Sequence, residues 1–176
     1  MNWRIDIQKT GVLLIDLQEK LLSVIEDRDR VVHKAVQLVK LAKLFSLPVY
    51  ITEQLPEKLG LTCKEILELV GDTPRIWKNT FSAVPFLPPE LPKVILISGV
   101  ETHICVRQTV YDLRVKERTP YVLGDAVSSR NKLDHQLGIE EMRQDKVLIS
   151  SVEAVGWEMI EKAEGDLFKE FLAILK

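Results

Sequence analysis

Val94-Ile-Leu-Ile-Ser-Gly-Val-Glu-Thr-His-Ile-Cys105 decides how the rest of this chain is read. Its first four residues form an uninterrupted apolar run, the pattern of a strand buried on both faces of a parallel sheet. Ser98-Gly99 closes the run, and a helical pattern starts within a few residues. Cys105 is therefore expected in the first turn of a helix, at the carboxyl end of a strand, where open α/β sheets place their ligand sites. Unpaired N–H groups and the positive end of the helix dipole favour a thiolate there. That makes Cys105 a candidate nucleophile, against the plainer reading of a free cysteine as inert packing.

The same alternation repeats on either side. Gly11–Asp16 reads as a strand closed by an acid, and Val31–Leu47 as a helix with apolar residues Val32, Ala35, Val36, Val39 and Ala42 at helical spacing. Pro48–Thr52 is the next strand. Thr62-Cys-Lys-Glu65 is a capping-box pattern opening a helix that ends before Gly71. Pro85–Pro92, with four prolines, is neither helix nor central strand. After the Val94 strand come a helix over about His103–Lys116, a strand Pro120–Asp125, a helix capped by Asp134 and running to Met142, and a strand Val147–Ile149. A second capping box, Ser150–Glu153, starts a helix stopping near Gly165, and Leu167, Phe168, Phe171, Leu172 and Leu175 give the last helix one apolar face. Alternating strands and helices predict an α/β fold with a mostly parallel, doubly wound sheet in three α/β/α layers.

The 176 residues suit one domain, 1–176, with a substantial core. A formal charge of -2 gives no electrostatic case for nucleic acid or an anionic membrane, and no apolar run is long enough to span a bilayer. Met1–Asp6 lacks the apolar block of a signal peptide. Two cysteines, Cys63 and Cys105, are too few for a disulfide framework, so the expected location is the cytoplasm.

The candidate chemistry starts from Cys105. Cys63 shares a helix start but follows no strand. Of the three histidines, His103 lies two residues before Cys105 and on a helix would point away from it. His33 sits among charged residues, and His135 in the first turn of another helix is as common at a surface. None has metal-ligand spacing, and no protein-built metal site or cofactor is expected. A carboxylate at another strand end could serve as base, and Asp16 and Asp125 both qualify. An aspartate there is also an ordinary turn or cap residue. A lysine could stabilise a thiolate, but spacing selects none.

Four segments in order resemble the isochorismatase-like cysteine hydrolases: Val12-Leu-Leu-Ile-Asp16-Leu-Gln18, Trp77-Lys78-Asn-Thr-Phe81-Ser82, Ser98–Thr109 and Asp125–Arg130. The resemblance runs from about Gly11 to Ala173. It implies a triad of Asp16, Lys78 and Cys105, an oxyanion hole from the backbone N–H groups of Glu101 and Cys105, and a cis peptide matching Val100–Glu101. Gln18, Glu53 and Phe81 are expected near the substrate. The implied chemistry is hydrolysis of a small amide, carbamoyl or related acyl compound through a thioester. Alternatives are vinyl-ether hydrolysis, with Asp16 as acid and Cys105 a bystander, and a non-catalytic binding protein that keeps the pocket. Nicotinamidases carry an Asp-x-His pair after the second strand to hold a metal. Thr52–Gly60 has no histidine, so no nicotinamidase activity is expected. The Thr52-Glu-Gln-x-Pro-x-x-Leu-Gly60 run is most similar to the isochorismatase-domain-containing subgroup. The expected partners are a small-molecule substrate and further copies of the chain. The C-terminal helix serves either as that contact or as packing on its own sheet.

Overall fold

Apolar runs too short for helices and helical stripes too polar for the interior sort into separate layers. The computed structural model describes residues 4–176, so the first three residues of the Met1–Asp6 stretch lie outside the described residues. In chain order the strands are β1 (Thr10–Ile15), β2 (Val49–Gln54), β3 (Arg75–Lys78), β4 (Val94–Val100), β5 (Thr119–Ser128) and β6 (Leu148–Ser150). The helices are α1 (Glu19–Leu22), α2 (Arg28–Leu44), α3 (Pro56–Leu59), α4 (Lys64–Val70), α5 (Arg107–Val115), α6 (Lys132–Gln144), α7 (Val152–Ile160) and α8 (Gly165–Leu175).

Among the described residues the strands form one sheet of order β3-β2-β1-β4-β5-β6, every neighbouring pair parallel. The chain winds outward from β1 to β3, then crosses back to lay β4 on the other side of β1. The reversal falls between β1 and β4, and there the carboxyl ends of the strands open a crevice.

Strand alternation divides the core in two. Val12, Leu14, Ile51 and Leu96 face one layer and pack with Leu38 and Leu41 of α2, Ile66 of α4, Val155 of α7 and Phe171 of α8. Leu13, Ile15, Ile97 and Val122 face the other, with Val110 and Leu113 of α5 and Met142 of α6. This is the three-layer α/β/α architecture expected. Burying one such side chain contributes about 1.5–3 kcal/mol. α8 lies against its own fold through Phe171, which meets Trp157 of α7 edge-on at 4.9 Å. Among the described residues no helix is long and apolar enough to cross a membrane.

The structure corrects several boundaries. β3 was not among the strands expected: it is four residues long, at the sheet edge, with a cation at each end. β5 does not stop at Asp125 but continues to Ser128 after a register shift opposite Ile97–Gly99. Thr62 is not a cap: Cys63 precedes α4, and the Thr62 hydroxyl donates to Glu53 Oε1. Asn131 caps α6 in place of Asp134, and Ser151 caps α7 in place of Ser150. In α6 and α7 a short polar side chain one or three residues away reaches the exposed N–H groups better, whereas α4 starts without a side-chain cap.

Candidate active site

Asp16 leaves β1 in the left-handed region (φ 54). Its N–H donates to the Thr52 carbonyl (3.1 Å), and the Thr52 hydroxyl donates to its Oδ1 (2.8 Å). Lys78 ends β3, two strands from β1, and its side chain crosses the end of β2 to meet that acid. Its Nζ lies 2.7 Å from Asp16 Oδ2 and donates to Gln54 Oε1 (2.5 Å), the Thr80 carbonyl (3.1 Å) and the Phe81 carbonyl (3.2 Å). Cys105 Sγ is 3.8 Å from the same nitrogen. Three residues far apart in sequence thus meet at the sheet's reversal point. The Asp16 and Lys78 side chains are 0% exposed and Cys105 is 7% exposed.

Cys105 rides on a π turn, Thr102–Val106, that starts α5. The Val100–Glu101 peptide is cis. The Glu101 N–H favours the charged form of the Cys105 sulfur, while the Glu101 carbonyl accepts from the N–H groups of Ile104 (3.1 Å) and Val106 (3.2 Å). Gly99, next to the crevice, has φ +145, and a Cβ there would lie 2.2 Å from the Ile15 carbonyl oxygen. Only glycine lets β1 and β4 approach this closely.

The electrostatics overturn one expectation. Cys105 is not a ready thiolate at neutral pH: its thiol is pushed up to about 12. Loss of solvent is the largest cause, and the Asp16 charge adds to it. The opposing Lys78 charge and the Glu101 N–H are weaker. Desolvation and a neighbouring carboxylate outweigh the field of the turn at which Cys105 sits. Burial also raises the Asp16 carboxyl above its usual range, against the pull of Lys78 and Thr52. Burial thus favours the thiol form of Cys105 beside the Asp16–Lys78 pair.

The other predicted residues divide. Asp125 is no partner of Cys105: its Oδ1 accepts from the Val152 N–H (3.0 Å) at the start of α7. Gln18 does not face a ligand with free polar atoms. Its amide donates to the carbonyls of Gln54 and Gly60 and accepts from the Gln54 N–H, tying β1 to β2. Glu53 points to the opposite face of β2 from Thr52 and Gln54. Its Oε1 holds Thr62, and its buried Oε2 has no partner among the described residues. Phe81 contributes its carbonyl to Lys78, while the residue as a whole is 55% exposed. Cys63 is buried in the core, which pushes its thiol up to about 11. His33 is exposed as expected, but His103 and His135 are not loose surface groups; they bond to Ser129 and Thr102. Sequence reasoning missed Thr52 and Gln54, although period-2 alternation beside a strand-end acid marks that pair. A cavity of about 600 Å³ lies elsewhere, lined by Val84, Pro85, Leu87, Asp112 and Arg118 and not by the triad residues. Among the described residues no three His, Cys, Asp or Glu come together as a group able to hold a metal ion.

A doubly wound parallel sheet with an acid, an ammonium and a thiol converging at its reversal point defines the class as an α/β protein of hydrolase fold. The chain belongs to the isochorismatase family: residues 10–154 match the isochorismatase domain. It is similar to isochorismatase domain-containing protein 2A of Mus musculus, 34% identical over 98% of this chain and 85% of that one. It is also similar to a secreted isochorismatase effector of Phytophthora sojae, 32% identical over 97% and 86%. Among solved structures, the MAR1 ribonuclease of Caenorhabditis elegans superposes with a TM-score of 0.92 at 30% identity, covering 98% of this chain and 92% of that one.

Proposed function

We propose that this protein hydrolyses a small neutral amide, carbamoyl or related acyl compound through a thioester on Cys105. The observation that carries the reading is the contact of one buried ammonium with both Asp16 (2.7 Å) and Cys105 (3.8 Å). With the thiol pushed up to about 12, ionisation and attack belong to one step. Asp16 takes the S–H proton as sulfur bonds to the substrate carbonyl carbon, and the raised Asp16 pKa narrows the gap between donor and acceptor. Lys78 holds the carboxylate and offsets negative charge growing on sulfur. The oxyanion is received by the N–H groups of Glu101 and Cys105. Asp16 then passes its proton to the departing nitrogen and the C–N bond breaks. A water, deprotonated by Asp16, opens the thioester and restores the thiol. Lys78 is already bound by Asp16, Gln54 and two carbonyls, which supports a neutral substrate over a carboxylate.

Ammonia release from a panel of small amides, ureas and carbamates tests this. Turnover of at least one is expected, lost by 10³-fold or more in Cys105→Ala, the order expected when a covalent nucleophile is removed; nicotinamide is expected to be inert. Unchanged turnover in Cys105→Ala would favour vinyl-ether hydrolysis instead, a reading to which the raised carboxyl of Asp16, a potential acid, lends some support. The relative named a ribonuclease does not redirect the proposal, since a charge of -2 gives no field that gathers phosphate. A proton relay also has no use in a pure binding protein.

Two further assignments rest on composition and surface. Buried, unbridged cysteines support a cytoplasmic location, although one relative is named a secreted effector. Trp77, 66% exposed on edge strand β3, and Phe81 just after it support a homo-oligomer.

A further inference from the structure

Three consecutive side chains of the turn that carries Cys105 are tied to one neighbouring segment. The Glu101 carboxylate accepts from the Arg130 N–H (2.9 Å) and faces the Arg130 guanidinium (3.8 Å). The Thr102 hydroxyl, fully buried, bonds His135 Nδ1 (2.9 Å). His103 Nδ1 bonds the Ser129 hydroxyl (2.9 Å). The tether also has a steric side. Gly138 of α6 sits so close to the turn that a Cβ there would lie 3.1 Å from the His103 Cα and 3.3 Å from its nitrogen. Ser129 and Arg130 follow the end of β5, and His135 belongs to the first turn of α6, so the tether joins two elements that carry none of the triad.

We propose that Ser129, Arg130 and His135 are positioning residues that lock the Glu101–Cys105 turn in its reactive geometry. The proposal rests on Cys105 being the nucleophile. A π turn closes its hydrogen bonds less regularly than an α-helix, and π turns occur mostly as single-turn bulges at functional sites. This turn must hold one sulfur beside the Asp16–Lys78 pair, 3.8 Å from the Lys78 nitrogen. Its inner side is fixed by β4; its outer side is fixed by the 129–138 segment. The labour is divided: Arg130 holds Glu101, and the Thr102–His135 and His103–Ser129 bonds hold the two residues after it. An ångström of drift in a reacting group costs on the order of 10²-fold in rate.

The test is the rate of iodoacetamide alkylation at Cys105, read by peptide mass spectrometry on the full chain. Thr102→Val and His135→Ala are each expected to slow it about ten-fold, and the double variant to be no slower than either, because both remove one tether. Thr102→Ser keeps the hydroxyl and is expected to stay within about two-fold of the parent; this separates hydroxyl bonding from packing. Should Thr102→Val fail to fold, His135→Ala, at a half-buried position, and Ser129→Ala, which removes one small hydroxyl, carry the measurement. Parent-like alkylation in the folded His135→Ala and Ser129→Ala variants overturns the proposal, as does additive slowing in the double variant. Failure of the nucleophile assignment looks different: the unsubstituted protein would then be alkylated at Cys63 in preference to Cys105.

Discussion

Lys78 shows how much a single side chain organises here. Its nitrogen gathers groups from three strands and one loop: Asp16 after β1, Gln54 in β2, Cys105 after β4, and the Thr80 and Phe81 carbonyls. Removing an acceptor from a buried cation leaves a charge-assisted hydrogen bond unmade. Gln54→Leu is therefore expected to lower stability by about 2 kcal/mol, read from urea unfolding midpoints at constant slope. Lys78→Met acts differently. It leaves Asp16 buried without its counter-charge, so the carboxyl rises further and its proton-accepting form is depleted. Cys105 alkylation is expected to fall about 10²-fold in this variant, with loss of a general base as the magnitude's source. At this scale the sequence was only half legible. Asp16 closes an apolar run and Cys105 lies just past another, at the start of a helical pattern, whereas Lys78 ends a strand too short and too charged to recognise and is implied by family resemblance alone. Glu53, expected near the substrate, holds Thr62 on one face of β2, while Thr52 and Gln54 on the other face hold Asp16 and Lys78.

Elements were more legible than their ends. The apolar runs of β1, β2, β4, β5 and β6 and the stripes of α2, α5 and α8 are visible because burial on two faces or on one stripe leaves a periodic mark. Caps and bulges leave no such mark, since several neighbouring polar residues can satisfy the same N–H groups and the fold selects among them. Nor does any periodicity foretell the π turn under Cys105 or the register shift that carries β5 on to Ser128. The meeting of β1 and β4 has a sharper requirement. A methyl at Gly99 would press on the Ile15 carbonyl, backbone against backbone, at a φ that side chains rarely adopt. Gly99→Ala is expected to destabilise by about 3 kcal/mol. Thermal unfolding checks this; a melting temperature equal to that of the parent would show that the two strand ends have room to separate.

For the whole molecule, the winding reversal between β1 and β4 explains why residues 16, 78 and 105 share one crevice, and burial explains its chemistry. The layers exclude water from the ion pair, and that exclusion keeps the sulfur protonated at rest and makes Asp16 a stronger base than a solvated carboxylate. A pH dependence follows, with its sign set by those shifts. Asp16 accepts a proton only when ionised, and burial raises its pKa, so reactivity falls on acidification at a higher pH than an ordinary carboxylate would give. On the alkaline side the thiol at about 12 is not titrated in the usual thiol range. The most direct measurement is the pH profile of Cys105 alkylation in the unsubstituted protein and in Asp16→Asn. The parent is expected to run level through the ordinary thiol range near pH ~8.5. Asp16→Asn removes one of the two causes that raise the thiol and leaves Lys78 beside the sulfur, so it is expected to titrate as a simple thiol with a pKa below the parent's. The same inflection near pH ~8.5 in both proteins would contradict a thiol deprotonated by Asp16 in the act of attack.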